Sequence, residues 1–60
     1  MSDAILVAED EPGSAEYLRL LLEGRGHSVR LAANGVEALL ALESRPFDLV
    51  ITDLRMPSMD

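Results

Sequence analysis

Asp48-Leu49-Val50-Ile51-Thr52-Asp53 is an apolar run held between two carboxylates, and Ile5-Leu6-Val7-Ala8 running into Glu9-Asp10-Glu11 has the same form near the N-terminus. An apolar run of about four to eight residues reads as a buried strand. Carboxylates at its C-terminal end stand at the rim of the sheet, where open α/β folds bind ligands. If the two strands are parallel neighbours, Glu9, Asp10 and Asp53 converge. Each like-charged pair about 4 Å apart then repels by up to about 4 kcal/mol at an effective dielectric of about 20. Relief comes from protonating some of them or from a cation between them, and a hard divalent ion such as magnesium suits an all-oxygen donor set.

Outward from these two runs, the first strand spans residues 4 to 9 and is followed by Pro12, Gly13 and Ser14. The serine is placed to cap a helix whose first turn carries Glu16. The helix runs to about Glu23 with Ala15, Leu18, Leu21 and Leu22 as its inner stripe, and Gly24 and Gly26 offer stops. Tyr17 and Leu20 fall off that stripe. From His27 to Ala33, Val29 and Leu31 alternate with Ser28 and Arg30, the period-two signature of an edge strand. Asn34-Gly35 turns the chain into a second helix, Val36 to Ser44, with Val36, Leu39 and Leu40 on its inner side. Pro46 ends that helix, since it lacks an amide and biases Arg45 away from helical angles. Phe47 to Asp53 forms the third strand.

This β-α-β-α-β alternation implies an α/β fold with a parallel sheet and right-handed crossovers. The first and third strands, almost wholly apolar, are expected to be covered on both faces, and the amphipathic second strand belongs at an edge. Strand order 2-1-3 follows. The winding reverses between the first and third strands, which opens a crevice at their C-terminal ends beside the acidic residues.

With 60 residues the chain is one domain at most. A domain of this size buries only about 60% of its unfolded surface. Cysteine is absent, so no disulfide or thiolate site supplements the core. A net charge of −6, and five basic residues that are all arginine (Arg19, Arg25, Arg30, Arg45 and Arg55) and scattered, argue against a direct nucleic-acid partner. No apolar run nears the ~20 residues of a membrane span, and the N-terminus lacks a signal-peptide pattern, so the expected location is the cytoplasm. His27 reads as a surface residue before an edge strand, because no second histidine or cysteine stands with it.

Three segments together resemble the receiver domain of two-component response regulators: the first strand with Glu9-Asp10-Glu11, then Asn34-Gly35-Val36-Glu37-Ala38-Leu39, then Asp48 through Asp53-Leu54-Arg55-Met56-Pro57. The resemblance covers the whole chain and implies a flavodoxin-like fold. It also implies a phospho-acceptor signalling domain in place of an enzyme, served by a sensor histidine kinase whose phosphoryl group passes to the residue matching Asp53. It maps the Mg2+ ligands to Glu9, Asp10, Asp53 and the backbone carbonyl of Arg55, with no catalytic residue beyond Asp53. Glu9 stands where the family usually has the shorter aspartate, so Asp10 is expected to coordinate directly and Glu9 through water. The motif style resembles receivers attached to transcriptional activators with an ATPase domain.

The same resemblance implies a fourth strand with a hydroxyl residue and a fifth with a lysine, and these 60 residues contain no lysine. Residues 1–60 are therefore expected to be the N-terminal half of a receiver, truncated and not competent to signal as it stands. Two other classes stay open. One is an incomplete interaction module that forms a homodimer, or captures a complementing chain, through the exposed edge of its third strand. The other is a metal-dependent phosphohydrolase fragment; such enzymes commonly place a second aspartate two residues after the first, where Arg55 stands.

Overall fold

The computed structural model describes residues 3–52. Strand β1 (Ala4–Ala8) leads into helix α1 (Pro12–Glu23), strand β2 (Ser28–Ala32), helix α2 (Gly35–Ser44) and strand β3 (Leu49–Thr52). The strands form one parallel sheet in the order β2-β1-β3. Fold class, element order and strand order agree with the sequence reading. Among the described residues the strands are shorter than expected: β1 ends at Ala8, β2 runs from Ser28 to Ala32, and β3 begins at Leu49.

Strand β1 lies between two partners, and Ile5, Leu6, Val7 and Ala8 are all buried. Both helices pack against β1 and β2 without packing against each other, which puts them on opposite faces of the sheet. Leu6 and Ala8 meet Ala32, Ala38 and Ala41 in the core cluster, with Phe47 packed at its margin.

Helix α1 starts earlier than expected. Its N-cap is Glu11, whose side chain accepts from Ser14 N at 2.8 Å, so Ser14 is a capped residue inside the first turn and not the cap itself. Pro12 explains the shift: its fixed φ and missing amide suit the first helical position. Gly13 leaves room for this cap, since a Cβ there would come 3.0 Å from Glu11 Oε1. At the other end Gly26, with φ 92°, donates to Glu23 O at 3.0 Å while His27 N donates to Leu22 O at 3.2 Å. That pair of bonds around a left-handed glycine is a Schellman closure. Of the expected inner stripe, Ala15 is buried and Leu18 and Leu22 are half-buried, but Leu21 is exposed.

Helix α2 corrects the sequence reading more sharply. Gly35, Ala38 and Ala41 are the buried residues, and Val36, Leu39 and Leu40 face outward, each about 60% exposed. The small residues let the helix approach the sheet closely, and a helix rich in leucine offers more than one apolar stripe, so size and not hydrophobicity chose the inner face. Asn34 caps it by accepting from Glu37 N at 2.9 Å, and Glu37 Oε1 reaches back to Ala33 N at 2.8 Å, a reciprocal arrangement of the capping-box kind. Arg45, just before Pro46, takes extended angles and ends the helix as expected.

Strand β3 also departs from expectation. It pairs with β1 on one side only among the described residues, neither helix packs against it, and Leu49 and Val50 are exposed.

Candidate functional site

The carboxyl end of the sheet is built by three register partners: Ala8 lies opposite Ala32 on one side and Thr52 on the other. Glu9 follows Ala8 directly, and its backbone N–H donates to Ala32 O at 2.9 Å, which holds the start of the acidic loop against β2. The three consecutive acids then divide their work. Glu9 is half-buried and its Oε1 accepts from Glu11 N at 3.1 Å. Glu11 caps α1. Asp10, exposed, has no hydrogen-bond partner among the described residues, and it is the carboxylate of the three left available to a ligand.

A cleft of about 330 Å³ opens beside this loop. Ala15, Leu31 and Ala32 give it an apolar floor, and Glu9, Asp10, Glu16 and Glu37 contribute carboxylates to its lining. It opens on the β2 side of β1, and none of the described β3 residues lines it; the crevice expected between the first and third strands borders on Asp53, which lies outside the described residues. Glu37 is engaged by Ala33 N, and Glu16 by Arg19 through its Nε at 3.0 Å and through Nη2. The hydrogen bonds from Arg19 hold the Glu16 carboxyl below its ordinary range, burial opposes them, and the arginine's charge adds to the lowering.

Among the described residues no group of three acidic or histidine side chains is arranged to hold a metal ion. Glu9 and Asp10 are two hard oxygen donors, a chemistry that fits magnesium, and the expected set needs a third. Asp53 and Arg55 lie outside the described residues. Sequence reasoning overlooked one polar residue that shapes the site, Glu11 as the cap of α1. Pro12, suited to the first helical position, could have pointed to Glu11.

Residues 5–60 match the family model of the response regulator receiver domain. The chain belongs to that family. A segment of the transcriptional regulatory protein ZraR of Klebsiella oxytoca is 45% identical over 93% of this chain, and one of the sensor histidine kinase GacS of Pseudomonas protegens is 41% identical over the same share. The response regulator GtcR of Aneurinibacillus migulanus is 40% identical over the full 60 residues. The chain spans 13%, 6% and 25% of the lengths of these three relatives, respectively. No solved structure matches it at comparable significance. The three parallel strands in the order β2-β1-β3 are those expected of a receiver's first half. No helix among the described residues is long and apolar enough to cross a membrane.

Proposed function

We propose that this receiver accepts a phosphoryl group on Asp53 from a sensor histidine kinase, with Mg2+ held by Glu9, Asp10, Asp53 and the backbone carbonyl of Arg55. The observation that carries this reading is the β1–β3 register. Ala8 and Thr52 are partners, and the residues that follow them in sequence are Glu9 and Asp53. Parallel strands advance at the same rise per residue, about 3.3 Å. Glu9 and Asp53 each follow a matched pair by one residue in sequence, and Asp10 follows Glu9, which supports a cation shared among the three.

In the transfer, a carboxylate oxygen of Asp53 forms a bond to phosphorus as the bond from phosphorus to the donor's imidazole nitrogen breaks. The electron pair stays on that nitrogen, and the product is an aspartyl phosphate. A bound Mg2+ supplies charge neutralisation at the phosphoryl oxygens and lowers the repulsion between donor and acidic site. Asp10 projects from the loop as the direct ligand. Glu9 is restrained by Glu11 N and acts through water. The chain serves as a phospho-acceptor that holds its product and does not turn over a substrate.

Acetyl phosphate with Mg2+ tests the reading. The expected result is a mass gain of one phosphoryl group that hydroxylamine removes and that Asp53→Asn abolishes. Labelling of this chain is expected to be slow and partial, since it holds no lysine to contact the phosphoryl group. A label that persists in Asp53→Asn overturns the assignment. In a Mg2+ titration followed by NMR, Asp10→Asn should weaken binding about 10- to 100-fold; shifts confined to residues far from β1's carboxyl end would reject the metal set.

A second reading rests on the exposure of Leu49 and Val50, 51% and 43%. An apolar strand with one side unpaired recruits another strand, and a second copy joined β3 to β3 about a two-fold axis would supply one.

A further inference from the structure

We infer that Asp48, which lies at the end of the sheet remote from the acidic loop, is a positioning residue for the phospho-acceptor, acting by fixing the register of β3 on β1. The inference rests on the reading of Asp53 given above. Both backbone groups of Ala4 are bonded to this one residue: Ala4 N donates to Asp48 Oδ2 at 2.7 Å, and Asp48 N donates to Ala4 O at 2.7 Å. These are the shortest of the polar links at the amino end of the sheet, where Ser28 N to Asp3 O is 2.8 Å and Asp3 N to His27 Nδ1 is 3.3 Å.

The pair needs such a pin. Strand β3 is paired over only four positions, Ile5 with Leu49 through Ala8 with Thr52, and its side chains are largely exposed. A buried face resists slippage because a one-residue shift turns apolar side chains outward. Leu-Val-Ile on an exposed strand supplies little of that resistance, so polar contacts have to set the alignment. Ala4 precedes Glu9 by the same number of residues as Asp48 precedes Asp53. Clamping Ala4 to Asp48 therefore fixes the register that ends in the pair Ala8 and Thr52, the residues that precede Glu9 and Asp53 in sequence. A slip by two residues would keep the faces of β3 and still carry the acceptor about 7 Å along the strand, outside the reach of a shared cation.

The test uses the full 60-residue chain and the variants Asp48→Ala, Asp48→Asn and Asp48→Glu, each read two ways without a phosphoryl donor. The first readout is the set of cross-strand NOEs between β1 and β3. The second is a Mg2+ titration. In Asp48→Ala we expect the NOEs linking Leu6 and Val50 to weaken or move to new partners, and the Mg2+ half-saturation concentration to rise about tenfold. Asp48→Asn keeps an oxygen acceptor for Ala4 N and should stay within about twofold of the parent, because the hydrogen bond and not the charge sets the alignment. Should Asp48→Ala not fold, Asp48→Glu carries the test: its extra methylene pushes β3 away from Ala4, and the same direction of change is expected. A contribution to stability alone would lower the folded fraction and leave the half-saturation of the folded molecules unchanged. Parent-like NOEs and Mg2+ half-saturation in Asp48→Ala, or in Asp48→Glu where alanine does not fold, would overturn the inference, and so would equal loss in Asn and Ala. Absence of Mg2+ binding in the parent would count against the proposed function, while the NOEs would still decide what Asp48 does to the register.

Discussion

Strands β1 and β3 are written in nearly the same apolar alphabet, Ile5-Leu6-Val7-Ala8 and Leu49-Val50-Ile51-Thr52, yet the first is at most 3% exposed and the second has Leu49 at 51%. Composition does not separate them. Position does: among the described residues β1 has a strand on each side and helices on both faces, and β3 has one strand and neither helix. An apolar run is a statement about what a segment can bury, and its neighbours decide how much of it is buried. The energetic centre of this sheet is therefore β1, and the chemistry proposed for it sits where β1 and β3 end together.

Shortening one side chain in each strand separates the two most sharply. Leu6 is fully buried. Leu6→Ala is expected to cost about 2–5 kcal/mol. A 60-residue domain typically holds about 3–9 kcal/mol in total, so this variant should be largely or wholly unfolded by far-UV circular dichroism. Val50→Ala removes partly exposed atoms and is expected to cost about 1 kcal/mol or less. Similar losses in urea titrations of the two would mean that β3 is covered in solution and as well buried as β1.

Association is the next test. If a second copy covers β3, sedimentation should show a dimer that strengthens with salt or Mg2+, because the net charge of −6 per chain is then screened. Val50→Pro removes a ladder amide and should shift the chain to monomer. A compact parent monomer at high concentration would show that the edge recruits nothing.

Much of this was legible from residues alone because strands announce themselves by short apolar runs and parallel order follows from the intervening helices. The inner face of α2 was not. Val36, Leu39 and Leu40 carry the strongest apolar signal, but Ala38 and Ala41 lie against the sheet, since close approach of helix and strand rewards small side chains. The cap of α1 was misplaced for a related reason: Ser14 is the commoner capping residue, and Pro12 had already fixed the first turn upstream of it. At the site, Glu9 and Asp10 stand where the apolar run predicts.

The caps make a smaller, separate test of the helices on the two faces. Asn34→Ala leaves Glu37 N without its acceptor and should destabilise the chain by about 1 kcal/mol. The loss should appear as increased amide exchange in the first turn of α2, with α1 unchanged. Equal effects in both helices would mean that they unfold as one unit.

The smallest effect belongs to the surface of α1, where Arg19 joins Glu16 and, at 2.8 Å, Glu23. The hydrogen bonds to Arg19 lower the Glu16 carboxyl from its ordinary value, against a raising effect of burial and with help from the arginine's charge. A carboxyl lowered in the folded state stabilises the fold above its unfolded-state pKa, and that contribution is lost as pH falls through the lower, folded value. Arg19→Ala should therefore reduce the thermal midpoint slightly near neutral pH. The gap between parent and variant should close in acid, once Glu16 is protonated in both states. Exposed pairs of this kind contribute little because water screens them and ordering two long side chains costs entropy. A gap that persists unchanged below the folded pKa of Glu16 would assign the effect to the packing of the arginine stem along α1 and not to its charge.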